Sequence, residues 1–305
     1  MKKTAPGNDH FGEDGSMRIF ALELDNDIKG VPRRKEYIEA LIGRLPSPEL
    51  VVLPELALCS YMASQEIWRY ADDRGRGTAD WAVRTARKYR TYIGAGYVDR
   101  EGGDYFNRYM IAGAEGVCGF VSKSEGESAV FRRGDFGSVI AAPFGKVGVG
   151  ICYDSRRRHF YENVKDEELS LILFPHGSPA DPEKPERERR ENDARCLMYA
   201  NAFRVPVVYV NSKGSLEYMP GRMGAMMKRR GFRMNGMSKI YAPDAVPIPV
   251  DLPEAIASEI RLCPGRRVKD IRFHGDDLLP GNWLFKRLIL KPDTEAGIRS
   301  YEANR

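Results

Sequence analysis

The chain has no CxxC pair, no HExxH and no apolar run near the ~18 residues a membrane-crossing helix needs. Its five cysteines (59, 118, 152, 196, 263) are odd in number and far apart. That excludes a disulfide framework or a zinc ribbon, and the expected compartment is the reducing cytoplasm. Four histidines (10, 159, 176, 274) show no metal-ligand spacing, so no metal is expected. A charge of one sign is also missing: 48 Lys and Arg face 43 Asp and Glu. The basic runs Arg156–Arg158 and Lys228–Arg230 are short and lack interleaved aromatics. Neither a nucleic acid nor a membrane is therefore an expected partner. Met1 to Ser16 holds two lysines but no apolar core, and is read as a disordered tail instead of a signal peptide. No 20–50-residue repeat is visible.

What is present begins at Lys146-Val-Gly-Val-Gly-Ile-Cys-Tyr-Asp154. Val147, Val149 and Ile151 alternate with small residues, as in a buried strand. Polar residues Ser155 to His159 follow at once, which puts Cys152 at the strand's C-terminal end, where open α/β sheets place chemistry. The alternative for a lone cysteine is a buried structural one. Glu55 likewise follows the apolar run Leu50–Leu53, and Lys123 follows Gly-Phe-Val-Ser. Taken singly, each has a bland reading: a helix-start acid and a solvated lysine.

The rest of the chain is legible as α/β. Strands are expected at Met17–Leu24, Leu50–Leu53, Thr91–Val98, Tyr105–Ala112, Val117–Val121, Val139–Ala142, Leu169–Phe174, Pro206–Val210, Met237–Ala242 and Ala255–Leu262. Helices are expected at about Arg33–Leu45, Ala79–Tyr89, Phe160–Glu168 and from Asp181 to Phe203. The early strand–helix–strand order implies parallel pairing, and turns such as Glu101–Asp104 imply antiparallel pairs, so the sheets are mixed. Leu216 to Asn235 is expected to be a long loop. Residues 264–305 form an aperiodic C-terminal arm with apolar islands, placed at a subunit interface.

Leu53-Pro-Glu55, Gly119-Phe-Val-Ser-Lys123 and Gly148-Val-Gly-Ile-Cys-Tyr-Asp154 together resemble the nitrilase, or carbon–nitrogen hydrolase, superfamily. The likeness extends to Asn107, to Glu127-Ser128 with the following Gly134-Asp135, and to Val208-Tyr-Val-Asn-Ser-Lys-Gly214. It implies a four-layer α-β-β-α sandwich with two mixed sheets over residues 17–263, a Glu–Lys–Cys triad, and a homodimer or larger homo-oligomer. The implied roles are Cys152 as nucleophile, Glu55 as general base and acid, Lys123 with the Tyr153 N–H at the oxyanion, and Glu127 orienting Lys123. A lowered thiol pKa is expected from the adjoining ammonium and carboxylate. Covalent acyl transfer would split a difficult amide cleavage into two steps without a cofactor.

The chain also departs from the family. Tyr153-Asp154 stands where nitrile-cleaving members carry Trp-Glu, which favours a small amide or ureide (N-carbamoyl) substrate. Only Arg156 survives of the usual Arg-Phe-Pro-Glu. His176-Gly-Ser178 replaces a common tryptophan, and the turn from Lys123 to Glu127 is short. Asn107, Tyr153, Arg156 and His176 are therefore candidate substrate-binding residues, with Arg156 a possible carboxylate fork or a brace against another acid. Nitrile hydrolysis, acyl transfer and a non-catalytic binding protein remain open at this point. So does an α/β-hydrolase with a Cys nucleophile, which would need His274 as its late histidine.

Overall fold

The computed structural model describes residues 15–135, 137–217, 220–281 and 283–305. The expected N-terminal tail lies, through residue 14, outside the described residues, and Ser16 already opens the first strand.

Period-two alternation builds the layers. Met17, Ile19, Ala21, Leu50, Val52, Tyr109 and Ile111 point inward to meet Val147, Val149, Leu171, Leu173, Val208 and Val210 from a second sheet. The intervening Phe20, Leu22, Val51, Ile93 and Met110 point outward against helices Val31–Ile42 and Arg76–Tyr89, through Ile38, Leu41, Trp81 and Ala82. On the far side Ile172, Phe174, Val207 and Tyr209 pack against helices Arg158–Val164 and Pro185–Phe203 through Phe160, Val164, Tyr199 and Phe203. Both faces of each sheet are thus covered, which is why the strands are almost continuously apolar. The result is the expected four-layer α-β-β-α sandwich, and it rules out the α/β-hydrolase reading. His274 sits in the arm, bridged through its backbone to Asp277.

Among the described residues the first sheet has eight strands, ordered Val246–Pro247, Ala255–Arg261, Ser16–Leu22, Leu50–Val52, Tyr92–Glu101, Asp104–Gly113 and Gly116–Ser122, with Asp72–Asp73 beside Tyr92–Glu101. The second has five: Lys239–Tyr241, Val207–Asn211, Leu169–His176, Gly145–Val149 and Val139–Ala142. Both are mixed. Ser16–Leu22, Leu50–Val52 and Tyr92–Glu101 run parallel, as do Gly145–Val149, Leu169–His176 and Val207–Asn211, with antiparallel strands at the flanks. Among the described residues no helix is long and apolar enough to cross a membrane.

Two expectations are corrected. The stretch Leu216 to Asn235 is not a loop throughout: it holds the helix Gly221–Arg229 and the strand Arg233–Asn235, which joins a three-stranded ribbon. Gly221 and Gly224 within that helix mask its period. The arm is not aperiodic to its end, because Lys291–Asn304 is a helix with a proline in its first turn. It docks on its own chain. Gly297 lies against Ser128 and Ala129, closely enough that a Cβ there would meet Ser128 Oγ at 2.3 Å. Tyr301 accepts a hydrogen bond from Tyr105 N at 2.9 Å and donates to Asp104 at 3.0 Å.

Candidate active site

The ends of four neighbouring segments converge. Leu50–Val52 leads to Glu55, Gly116–Ser122 to Lys123, Gly145–Val149 to Cys152, and Leu169–His176 carries His176 into Gly177-Ser178. Cys152 has φ 49°, in the left-handed region, at the turn from strand to a short 3₁₀ helix, Cys152–Arg156. A non-glycine residue there carries roughly 1–3 kcal/mol of strain, a frequent mark of functional sites.

Glu55 is 1% exposed and fully engaged. Its Oε1 accepts from Lys123 Nζ at 2.7 Å and from Asn107 Nδ2 at 2.8 Å, while Oε2 accepts from Gly177 N at 2.8 Å. A side chain at position 177 would put its Cβ 2.5 Å from the Tyr61 ring and 2.9 Å from Glu55 Oε2, so only glycine lets that backbone approach. Lys123 Nζ also reaches Glu127, at 3.2 and 3.4 Å, and Tyr61 donates its hydroxyl to Glu127 Oε1 at 2.6 Å. The short turn allows this. Asp154 accepts from Ser124 N and Glu125 N at 2.7 and 2.8 Å, folding the chain so that Glu127 returns to Lys123. The backbone of Asn107 accepts from Lys123 N at 2.8 Å and fixes the lysine's root.

Burial sets the electrostatics. It raises the Glu55 pKa above its ordinary value, with Lys123 opposing and Glu127 adding to the rise. Burial also opposes charge on Lys123, but Glu127 and Glu55 outweigh it and hold the ammonium well above its usual range. For Glu127, burial is overcome by Lys123 and the Tyr61 hydrogen bond, leaving its carboxyl lowered. Burial and then the Glu55 charge push the Cys152 thiol up to about 12. The expected lowered thiol pKa is therefore not met. Burial disfavours the thiolate, the Glu55 and Glu127 carboxylates add to this against one lysine, and the resting group is a neutral thiol.

Of the other candidates, Asn107 lies on the triad. Arg156 sits 5.4 Å above the Tyr153 ring, with its Nε 3.6 Å from Asp277 Oδ1 of the arm. That is the geometry of a brace. Tyr153 points its hydroxyl toward the same Asp277 at 3.5 Å. His176 is 2% exposed, and its two ring nitrogens meet Ser178 at 2.8 Å and Ser155 at 3.2 Å. Ser178 Oγ in turn lies 3.4 Å from Cys152 Sγ. Sequence reasoning missed Tyr61, Ser155 and Ser178 as site residues. Only the His176-Gly-Ser178 departure carried a signal, and Tyr61 had none. Among the described residues no group of three or more His, Cys, Asp or Glu is placed to hold a metal ion.

Fold and cluster together are a two-sheet sandwich with a buried carboxylate–lysine group beside a cysteine at the strand ends. The chain belongs to the carbon–nitrogen hydrolase family, which it matches over residues 26–254. It is 34% identical over 147 residues to a nitrilase from Pyrococcus abyssi, an alignment covering 45% of this chain and 56% of that protein. The chain thus spans little more than half the length of that relative. A citrullinase from Francisella tularensis is 21% identical over 213 residues, covering 64% of this chain and 74% of its own. Among solved structures, a carbon–nitrogen hydrolase from Helicobacter pylori superposes with a TM-score of 0.65 at 18% identity over 95% of both chains, a likeness of fold.

Proposed function

We propose that this chain hydrolyses the carbon–nitrogen bond of a small amide or N-carbamoyl compound through a thioester on Cys152. The observation that carries the reading is the buried Glu55–Lys123–Glu127 cluster whose charges reach a cysteine held at positive φ. Glu55 takes the S–H proton as sulfur attacks the carbonyl carbon, which suits a base whose pKa burial raises above the ordinary carboxylate value. The Lys123 ammonium and the Tyr153 N–H stabilise the oxyanion. Glu55 passes the proton to the departing nitrogen, the C–N bond breaks, and the amine or ammonia leaves. Water then gives a proton to Glu55, attacks the thioester, and the proton returns to sulfur. Glu127 keeps Lys123 charged and aimed. The cycle consumes water alone and calls for no cofactor, and a reducing cytoplasm would keep the thiol free.

Tyr153-Asp154 in place of Trp-Glu supports an amide or ureide, and a citrullinase among the relatives is in keeping with a ureide. The nitrilase likeness supports a second reading on the same thiol, nitrile addition. Arg156 acting on an anionic substrate end is a third-order refinement, and its pairing with Asp277 supports the brace instead.

Intact-protein mass spectrometry after incubation with a panel of amides, ureides and nitriles tests the reading. The expected result is an acyl adduct on Cys152, absent from Cys152→Ala, whose turnover falls by at least about 10³-fold with its melting temperature unchanged. Turnover retained in that variant overturns the assignment.

A further inference from the structure

The His176 and Ser178 side chains have no part in the scheme above, yet Ser178 touches Cys152. We infer that Ser178 and His176 are a positioning pair for Cys152: Ser178 Oγ accepts the thiol's S–H hydrogen bond, and His176, as its Nε2–H tautomer, fixes Ser178. This rests on the reading of Cys152 as nucleophile.

The hydrogen-bond directions follow from one carbonyl. Ser155 Oγ lies 2.5 Å from Cys152 O, and a carbonyl oxygen can only accept, so the single Ser155 hydroxyl proton points there. Ser155 must then accept from His176 Nε2, 3.2 Å away, which places a proton on that nitrogen. The ring is buried, 4.6 Å from the Tyr209 ring. Burial, with Arg195, Lys123 and Arg156 nearby, holds its pKa well below the ordinary histidine value, so it is neutral and Nδ1 is bare. Ser178 Oγ, 2.8 Å from Nδ1, donates to it. Donation from Ser178 to sulfur would lower the thiol pKa, but the one Ser178 hydroxyl proton is committed to His176 Nδ1, so a lone pair faces Cys152 Sγ at 3.4 Å and the neutral thiol supplies the proton.

The chain of bonds runs Cys152 S–H to Ser178, Ser178 to His176, His176 to Ser155, and Ser155 back to the Cys152 carbonyl. His176 Nδ1 is bare, but burial and the nearby Arg195 and Lys123 hold it well below the ordinary histidine value, so it is a poor stop for the thiol proton, and on the proposed mechanism Glu55 keeps that task. What they provide is aim. Ser178 itself is tied at both backbone ends by Asn211, which accepts from Ser178 N and donates to Ser178 O, each at 3.0 Å. The other titratable groups whose charge bears on the sulfur are Glu55, Lys123, Glu127, Tyr61 and Tyr209.

Two measurements need no substrate and so stand apart from the choice of reaction. The first is ¹⁵N NMR of the histidine-labelled full chain. His176 is expected to remain neutral and Nε2-protonated from about pH 5.5 to 9, and an Nδ1–H tautomer or an imidazolium in that range overturns the inference. The second is the rate of Cys152 alkylation by iodoacetamide, mapped by peptide mass spectrometry. An accepting Ser178 stabilises the thiol, so Ser178→Ala should alkylate about threefold faster at pH 8.5, and Ser178→Thr, which keeps the hydroxyl, should match the wild type. A slower Ser178→Ala means that Ser178 donates to sulfur and overturns the inference, as does an unchanged rate. Equal acceleration in Ser178→Ala and Ser178→Thr does the same, by showing that crowding and not the hydroxyl matters. Should Ser178→Ala fail to fold, the tautomer in the wild-type protein decides alone.

Discussion

Burial holds the Cys152 thiol up at about 12, and burial likewise raises the Glu55 carboxyl above its ordinary value. The pH dependence follows from these two directions. On the proposed mechanism Glu55 must be ionised to accept the S–H proton. With its pKa raised, kcat/KM should fall with unit slope on the acid side at a pH above the ordinary carboxylate value of 4.5. On the basic side the thiol, at about 12, and Lys123, held above its usual range, add no step below about pH 9. A profile flat down to pH 4, or a rise tracking a thiol near pH 7, would contradict the assignment. Glu55→Gln should lower turnover about 10²–10⁴-fold, as loss of a general base does, and should erase the acid limb.

At this scale the strand-end positions of Glu55 and Cys152 were legible from the apolar runs before them, whereas grouping them with Lys123 came from the resemblance to the carbon–nitrogen hydrolase superfamily. Tyr61 was not legible, because it reaches Glu127 across 66 positions from a loop with no period of its own. The sign of the Cys152 shift was not legible either. It depends first on how deeply the sulfur is buried and then on how many carboxylates surround one ammonium in three dimensions, and order along the chain reveals neither.

Elements that alternate were readable, and elements that do not were misread. Strand Ser16–Leu22 and helix Arg76–Tyr89 bury one clear periodic set. The arm's helix Lys291–Asn304 buries only Gly297 and Tyr301, too few for a pattern. Its anchor lies earlier, at fully buried Asp277, which accepts from Arg157 at 2.8 Å and pairs with Lys286 and Arg156. Burial alone would raise the Asp277 pKa, but Lys286 and Arg157 hold it below 3.8. Leu278 N donates to Arg156 O at 2.8 Å, so the arm clamps the segment that follows the nucleophile. Asp277→Asn should cost about 2–3 kcal/mol, less than a fully dry pair because Lys286 is partly exposed, and lower Tm by roughly 4–10 °C. A group with a depressed folded pKa stabilises above its unfolded value and loses that stabilisation as pH falls through the folded one. The Tm gap between wild type and variant should therefore close below about pH 4. A gap independent of pH would show that the charge is not what the arm uses.

For the whole molecule, the two-sheet sandwich follows from strands apolar on both faces, whereas assembly depends on surfaces that no alternation marks. The arm meets its own chain through Asp277, Gly297 and Tyr301, yet leaves Leu284, Leu288 and Ile298 at 56%, 56% and 51% exposed. Fully covering a leucine or isoleucine contributes about 1.5–3 kcal/mol, so a second copy seated on this outer face would gain appreciably. We propose that these positions lie in a homo-oligomer contact. Light scattering at micromolar concentration should then give at least twice the 34.4 kDa of one chain. Replacing Leu284, Leu288 and Ile298 together with lysine should return it to the single-chain mass, while Asp277 and Tyr301 keep the arm on its own sandwich. A wild-type protein at 34.4 kDa would refute the contact. An oligomer indifferent to the three substitutions would move it to another face, where Phe120, 50% exposed on the first sheet's edge strand, is the next position to replace.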